Sequence, residues 1–92
     1  MSDGHETFNA LLGREVVLDA ASQYVYVGTL VRCDDRYFTL ENADVHDLRD
    51  TNTTREVYIL DSRRHGTRAN RKLVLVRRSD IVSVSALDDV IE

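Results

Sequence analysis

A single cysteine, Cys33, in 92 residues excludes an internal disulfide. With no second Cys and no metal-ligand spacing beside it, Cys33 reads as a small strand residue in a reducing compartment. No stretch approaches the ~20 consecutive apolar residues that a membrane helix needs, and no basic-then-apolar leader opens the chain. A cytoplasmic protein without membrane contact is expected. Catalytic signatures are missing too: the three histidines are scattered as His5, His46 and His65, and none pairs with a nucleophile in a recognisable pattern. There is no excess of positive charge either: 12 Lys and Arg face 16 Asp and Glu, and the net charge of −4 argues against a bulk nucleic-acid binder. Its distribution is uneven, however. Seven of the 12 Lys and Arg residues lie between Arg63 and Arg78, a window without Asp or Glu. Such an asymmetry can make one basic face on an acidic body, although a charge run is more often just a solvated surface.

The stretch with the strongest local grammar is Tyr24 to His46. Tyr24 to Cys33 is rich in Val, Tyr, Thr and Leu, which suit a pleated, half-buried surface. Gly28 inside this run predicts a bend or a close backbone approach, as where a small barrel turns a corner. Asp34-Asp35-Arg36 supplies turn chemistry, because an Asp side chain can bond its own nearby backbone. From Tyr37 the pattern alternates, with Phe38 and Leu40 on one face and Thr39 and Glu41 on the other. The pair reads as one long, bent hairpin.

Before it, Phe8, Leu11 and Leu12 fall at helical spacing and Gly13 suits a helix stop, predicting a short amphipathic helix over about 6–12. Arg14 to Ala20 alternates as a strand, with Val17 adding apolar character on its second face. After it, Thr53-Thr54-Arg55-Glu56 fits a capping box and Gly66 a stop, predicting a helix from about Thr54 to His65 in preference to a strand at Val57 to Leu60. Lys72 to Val76 is an uninterrupted apolar strand whose two faces must both be covered. Arg77 to Asp80 makes a turn, Ile81 to Val84 a last strand, and Ser85 to Asp88 a final helical turn carrying Leu87, Val90 and Ile91. Ninety-two residues make one domain, 1–92. A core this small, burying only about 60–65% of the extended-chain surface, makes oligomerisation plausible.

A helix followed by a strand, then Gly28-Thr29-Leu30, Asp34 and Leu40, and later Val76-Arg77, two turn residues and Ile81, resembles the two motifs of the Sm and Sm-like proteins. The resemblance covers Leu11 to Val84 apart from an insertion near Asp47 to Arg71. It implies a mainly β fold: a bent five-stranded SH3-type barrel over about 14–84, with an N-terminal helix and, here, a helical insertion between strands three and four. It also implies a closed homo-oligomeric ring in which the fourth strand of one subunit pairs with the fifth of the next.

The same resemblance implies a site for single-stranded RNA at the turn between strands two and three and at the second motif. Asp34 is in place, but the base-reading Asn of the family falls on Tyr37 or Phe38, depending on the register. Arg77 matches, while the Gly after it is replaced by Arg78. What remains is an aromatic able to stack on a base and guanidinium groups able to meet phosphate, so binding with weak sequence preference is expected. Arg63, Arg64, Arg68, Arg71 and Lys72 would extend a basic track on the insertion side. An oligomeric scaffold that has lost the RNA site is the alternative. A third reading takes Asp44, His46, Asp47 and Asp50 as metal ligands, since Asp44 and His46 share one side of a strand. With no second His beside them they read instead as a solvated rim, and no metal, cofactor or enzymatic activity is expected.

Overall fold

Residues 6–92 are described by a computed structural model, and the long hairpin dominates it. Strands β1 (Glu15–Ala20), β2 (Tyr24–Cys33), β3 (Tyr37–Asp47), β4 (Arg71–Arg77) and β5 (Ile81–Ala86) form one 5-stranded sheet in the order β4-β3-β2-β1-β5. All neighbours are antiparallel. A short helix, α1 (Glu6–Asn9), precedes the sheet, and α2 (Arg55–His65) is inserted between β3 and β4. Among the described residues no helix is long and apolar enough to cross a membrane. His5 lies outside them.

The bend falls where Gly28 predicts it. A Cβ on Gly28 would lie 2.8 Å from the Ala43 Cβ and 2.9 Å from its Cα, so β3 presses directly on the β2 backbone. The pairing passes from Val27↔Asp44 to Thr29↔Glu41; the extra β3 residue is taken up at Asn42, in the left-handed region at φ 50°. A second irregularity between Leu30 and Arg32 adds a residue to β2. Each bulge sharpens twist and bend, and together they curl the sheet.

The curled sheet has two cores. Val16, Leu18, Leu30, Phe38, Leu40, Ala43 and Val76 fill one side, closed by Phe8 and Leu11. Val17, Val25 and Val27 point the other way and pack with Ile59 of α2 and with Leu87, which sits in the 3₁₀ turn Leu87–Asp89. This is why β1 carries three buried apolar residues in succession. Burying each such side chain is worth about 1.5–3 kcal/mol.

Two elements depart from their predicted form. The helix expected over 6–12 ends at Asn9, and tight turns follow in which the Leu11 N–H donates to the Phe8 carbonyl at 2.9 Å and Arg14 N–H to Leu11 at 3.1 Å. The chain is drawn off the helix because Gly13 N–H donates to the Leu30 carbonyl at 2.7 Å, which pairs the segment with β2. In α2 the cap is Thr54, whose hydroxyl accepts from the Val57 N–H at 3.2 Å. The reciprocal position is then Val57 rather than Glu56, so the expected box stays open. The helix begins where Arg55 reaches Asp19 at 3.3 Å and the Ser22 carbonyl at 3.1 Å, and its end at Gly66 is as expected.

β4 is covered on one face only. Val76 is buried and Val74 half-buried, while Leu73 and Leu75 are 56% and 55% exposed. At the opposite edge of the sheet Val82 of β5 is 72% exposed.

Candidate functional site

The turn between β2 and β3 is built by Asp34. Its Oδ1 accepts from the backbone N–H of Arg36 and of Tyr37, both at 2.8 Å, and its own N–H donates to the Tyr37 carbonyl at 3.0 Å. The carboxylate therefore shapes the loop. Tyr37, half-buried, opens β3 directly opposite Arg77, which closes β4. Phe38 points the other way into the core, 2% exposed, with its ring edge-on to Phe8 at 5.2 Å.

Arg77 and Arg78 diverge in the same manner. Arg77 is exposed and pairs with Asp80 at 3.1 Å, a surface contact of little energetic weight. Arg78 turns inward: its guanidinium donates to the Asp34 carbonyl at 2.6 Å and lies 5.2 Å from the Phe8 ring centre and 5.6 Å from that of Phe38. Of the five residues singled out at these turns, Tyr37 and Arg77 face solvent together, whereas Asp34, Phe38 and Arg78 are engaged in the scaffold. With Asp35, Arg36 and Ser79 the outward pair lines a hollow of about 300 Å³. Arg36 escapes sequence reading because it looks like an ordinary turn residue; its place between the turn-forming Asp34 and Tyr37 is the only signal.

The basic track lies elsewhere. Arg71 pairs opposite Ala43 at the start of β4, and Arg77 stands at its end; at about 3.3 Å per residue the separation is roughly 20 Å. Arg63 and Arg64 at the end of α2 each grip one oxygen of Glu92, Arg63 at 2.9 Å. Hydrogen bonding from Arg64, aided by Arg63, holds the Glu92 carboxyl below its usual range. Arg71 donates to the Asn70 carbonyl at 3.0 Å, and Lys72 is exposed. Arg68 borders a second hollow of about 300 Å³ with Asp44, Tyr58, Asp61, Ser62, His65 and Gly66.

The acidic residues near the end of β3 are taken up by α2 and by local turns. Asp44 accepts from the Tyr58 hydroxyl at 2.5 Å and from the Asn70 amide at 3.0 Å. His46 stacks on Tyr58 with ring centres 4.0 Å apart and planes within 4°. Burial, and then the bond to Asp44, push the Tyr58 hydroxyl well above its ordinary range. Asp47 caps the 3₁₀ turn Leu48–Asp50 and pairs with Arg49 at 2.8 Å, which lowers its pKa. Among the described residues no group of three His, Cys, Asp or Glu side chains is placed to hold a metal.

No protein-family model and no curated protein matches the sequence. Solved structures do match: the Sm protein of Pyrococcus abyssii in complex with a uridine heptamer aligns with a TM-score of 0.60 at 12% identity, over 88% of this chain and 93% of that chain. The fold is Sm-like. Within the Sm-like fold this chain carries an inserted helix between β3 and β4 and a turn pair, Tyr37 and Arg77, that faces outward.

Proposed function

We propose that the protein assembles into a homo-oligomeric ring in the cytoplasm and binds single-stranded RNA with weak sequence preference. The role is binding rather than catalysis. The observation that carries it is the cross-strand pair Tyr37 and Arg77, turned to solvent beside Arg36. An aromatic face accepts any base, and a guanidinium meets phosphate or stacks in turn. No side-chain amide lies in the hollow to read a base edge, which limits discrimination. The likeness in fold to an Sm protein solved with a uridine heptamer supports the same reading. So do the two uncovered edge strands, with Leu73 and Leu75 on one and Val82 on the other: a head-to-tail contact between unlike edges closes into a ring when its rotation allows. A ring repeats a modest site and so gains avidity on one strand. The basic track from Arg63 to Lys72 offers further phosphate contacts about a strand's length away.

A scaffold without RNA binding is favoured by a different observation: Arg63, Arg64 and Arg77 are already paired within the chain. Anisotropy titrations with short single-stranded RNAs at two salt concentrations separate the two. The RNA reading expects binding that weakens as salt rises and is lost in Tyr37→Ala combined with Arg77→Ala while the oligomer persists. Absence of salt-sensitive binding by the wild-type ring overturns it in favour of the scaffold.

A further inference from the structure

We infer that Arg78 is a positioning residue and not an RNA ligand: from the Phe8 and Phe38 side of the barrel rim it locks the turn that presents Tyr37 and Arg77. Its consequence for affinity rests on the RNA-binding reading; the lock itself does not.

Arg78 stands where the Sm pattern places glycine, and a glycine there could supply only a backbone donor. Arg78 supplies that donor and more. Its N–H donates to the Arg36 carbonyl at 2.8 Å, and its guanidinium donates to the Asp34 carbonyl at 2.6 Å. One residue thus holds both ends of the turn that the Asp34 side chain closes through the Arg36 and Tyr37 amides. The guanidinium is fixed in turn by two rings, Phe8 from α1 and Phe38 from β3. Cation–π attraction of this kind strengthens as water is excluded, and Arg78 is half-buried.

The contrast with Arg77 decides the roles. To reach a phosphate, Arg77 need only leave an exposed carboxylate. Arg78 would have to break a charge-assisted bond to the Asp34 carbonyl and leave both rings, releasing the turn on which Tyr37 sits. A lysine cannot substitute fully, because a compact ammonium lacks the planar fork that stacks and donates at once.

Backbone amide exchange on the intact oligomer, without RNA, tests the lock. In Arg78→Ala the Arg36 and Tyr37 amides are expected to exchange about tenfold faster than in wild type, and in Arg78→Gln, which keeps a donor but neither the charge nor the ring contacts, to exchange faster than wild type by a smaller factor. RNA titrations across salt test the role. Removing one cation that neutralises a phosphate of a single strand makes the slope of log affinity against log salt shallower by about 0.7. That change is expected for Arg77→Ala, whereas Arg78→Gln keeps the wild-type slope. Should Arg78→Ala not fold, Arg78→Gln and Arg78→Lys decide, with the lysine variant expected to exchange faster than wild type. Unchanged turn amides in every Arg78 variant overturn the lock, and a shallower slope in Arg78→Gln makes Arg78 a ligand. If the wild type binds no RNA, the functional reading falls while the exchange comparison still decides the lock.

Discussion

Gly28 shows most directly how a single residue shapes this barrel. Its missing side chain is what lets Ala43 lie against β2, since an added Cβ would sit 2.8 Å from the Ala43 Cβ, inside the closest approach of real carbons. Gly28→Ala is expected to lower stability by about 1–3 kcal/mol through overpacking, and Gly28→Ala with Ala43→Gly to recover part of the loss. Urea denaturation of these two variants and of Ala43→Gly alone measures the coupling; strictly additive losses would count against the contact. Gly28 is legible in the sequence because a glycine inside a strand gives up packing and backbone entropy, a cost that a bend or a close backbone approach offsets. Asp34 is legible as a turn residue for a related reason, since its partners are its own neighbours in the chain. Arg78 is not, because its direction is decided by Phe8 and Phe38, which only the folded barrel brings beside it. Arg77 and Arg78 look equivalent in sequence and turn opposite ways in the fold.

At the scale of elements, strand and helix identities follow from short-range pattern, while their ends follow from tertiary contacts. Cap and stop signals predict the inserted helix. Its first residue is set instead by where Arg55 meets Asp19 and the Ser22 carbonyl. Thr54→Ala is accordingly expected to cost about 1 kcal/mol as the loss of a true cap, whereas Glu56→Ala should stay within about 0.5 kcal/mol as an ordinary surface change. Thermal melts of the two variants test this order, and equal losses would restore the capping box. The face that α2 turns to the sheet has its own pH signature. The Tyr58 pKa is raised above its ordinary value of 10.0, so above that pH the unfolded chain loses a proton that the folded chain keeps. Stability is full below pH 10 and declines as pH rises beyond it. Urea midpoints between pH 8 and 11 should therefore fall more steeply for wild type than for Tyr58→Phe; parallel curves would remove the Tyr58 to Asp44 bond from the account.

For the whole molecule the informative surplus is apolar surface on β4. The pattern of Lys72 to Val76 calls for cover on both faces, and a single chain covers only one. In the ring proposed above the missing cover belongs to another copy, which one chain's pattern cannot show. Leu73→Lys with Leu75→Lys places charge on that edge, which blocks strand addition, and is expected to yield a monomer by light scattering where the wild type is expected to be an oligomer. A wild-type monomer at micromolar concentration would overturn the ring.

The pairing of β5 with β1 also sets the order of events in folding. β1 to β3 join their neighbours through short turns, and β4 reaches β3 across the inserted helix, but Val16 must find Ala86 across nearly the whole chain. Contacts so distant are slow to form because the loop they close must be ordered before they reward it. β5 is therefore expected to be the last strand to gain amide protection during refolding, a sequence that pulse-labelled exchange can follow. In the proposed ring, until β5 docks a newly made subunit has a β4 edge to offer but no β5 edge to receive a neighbour, so ring growth would wait on the slowest local closure and its rate at high concentration should become independent of concentration.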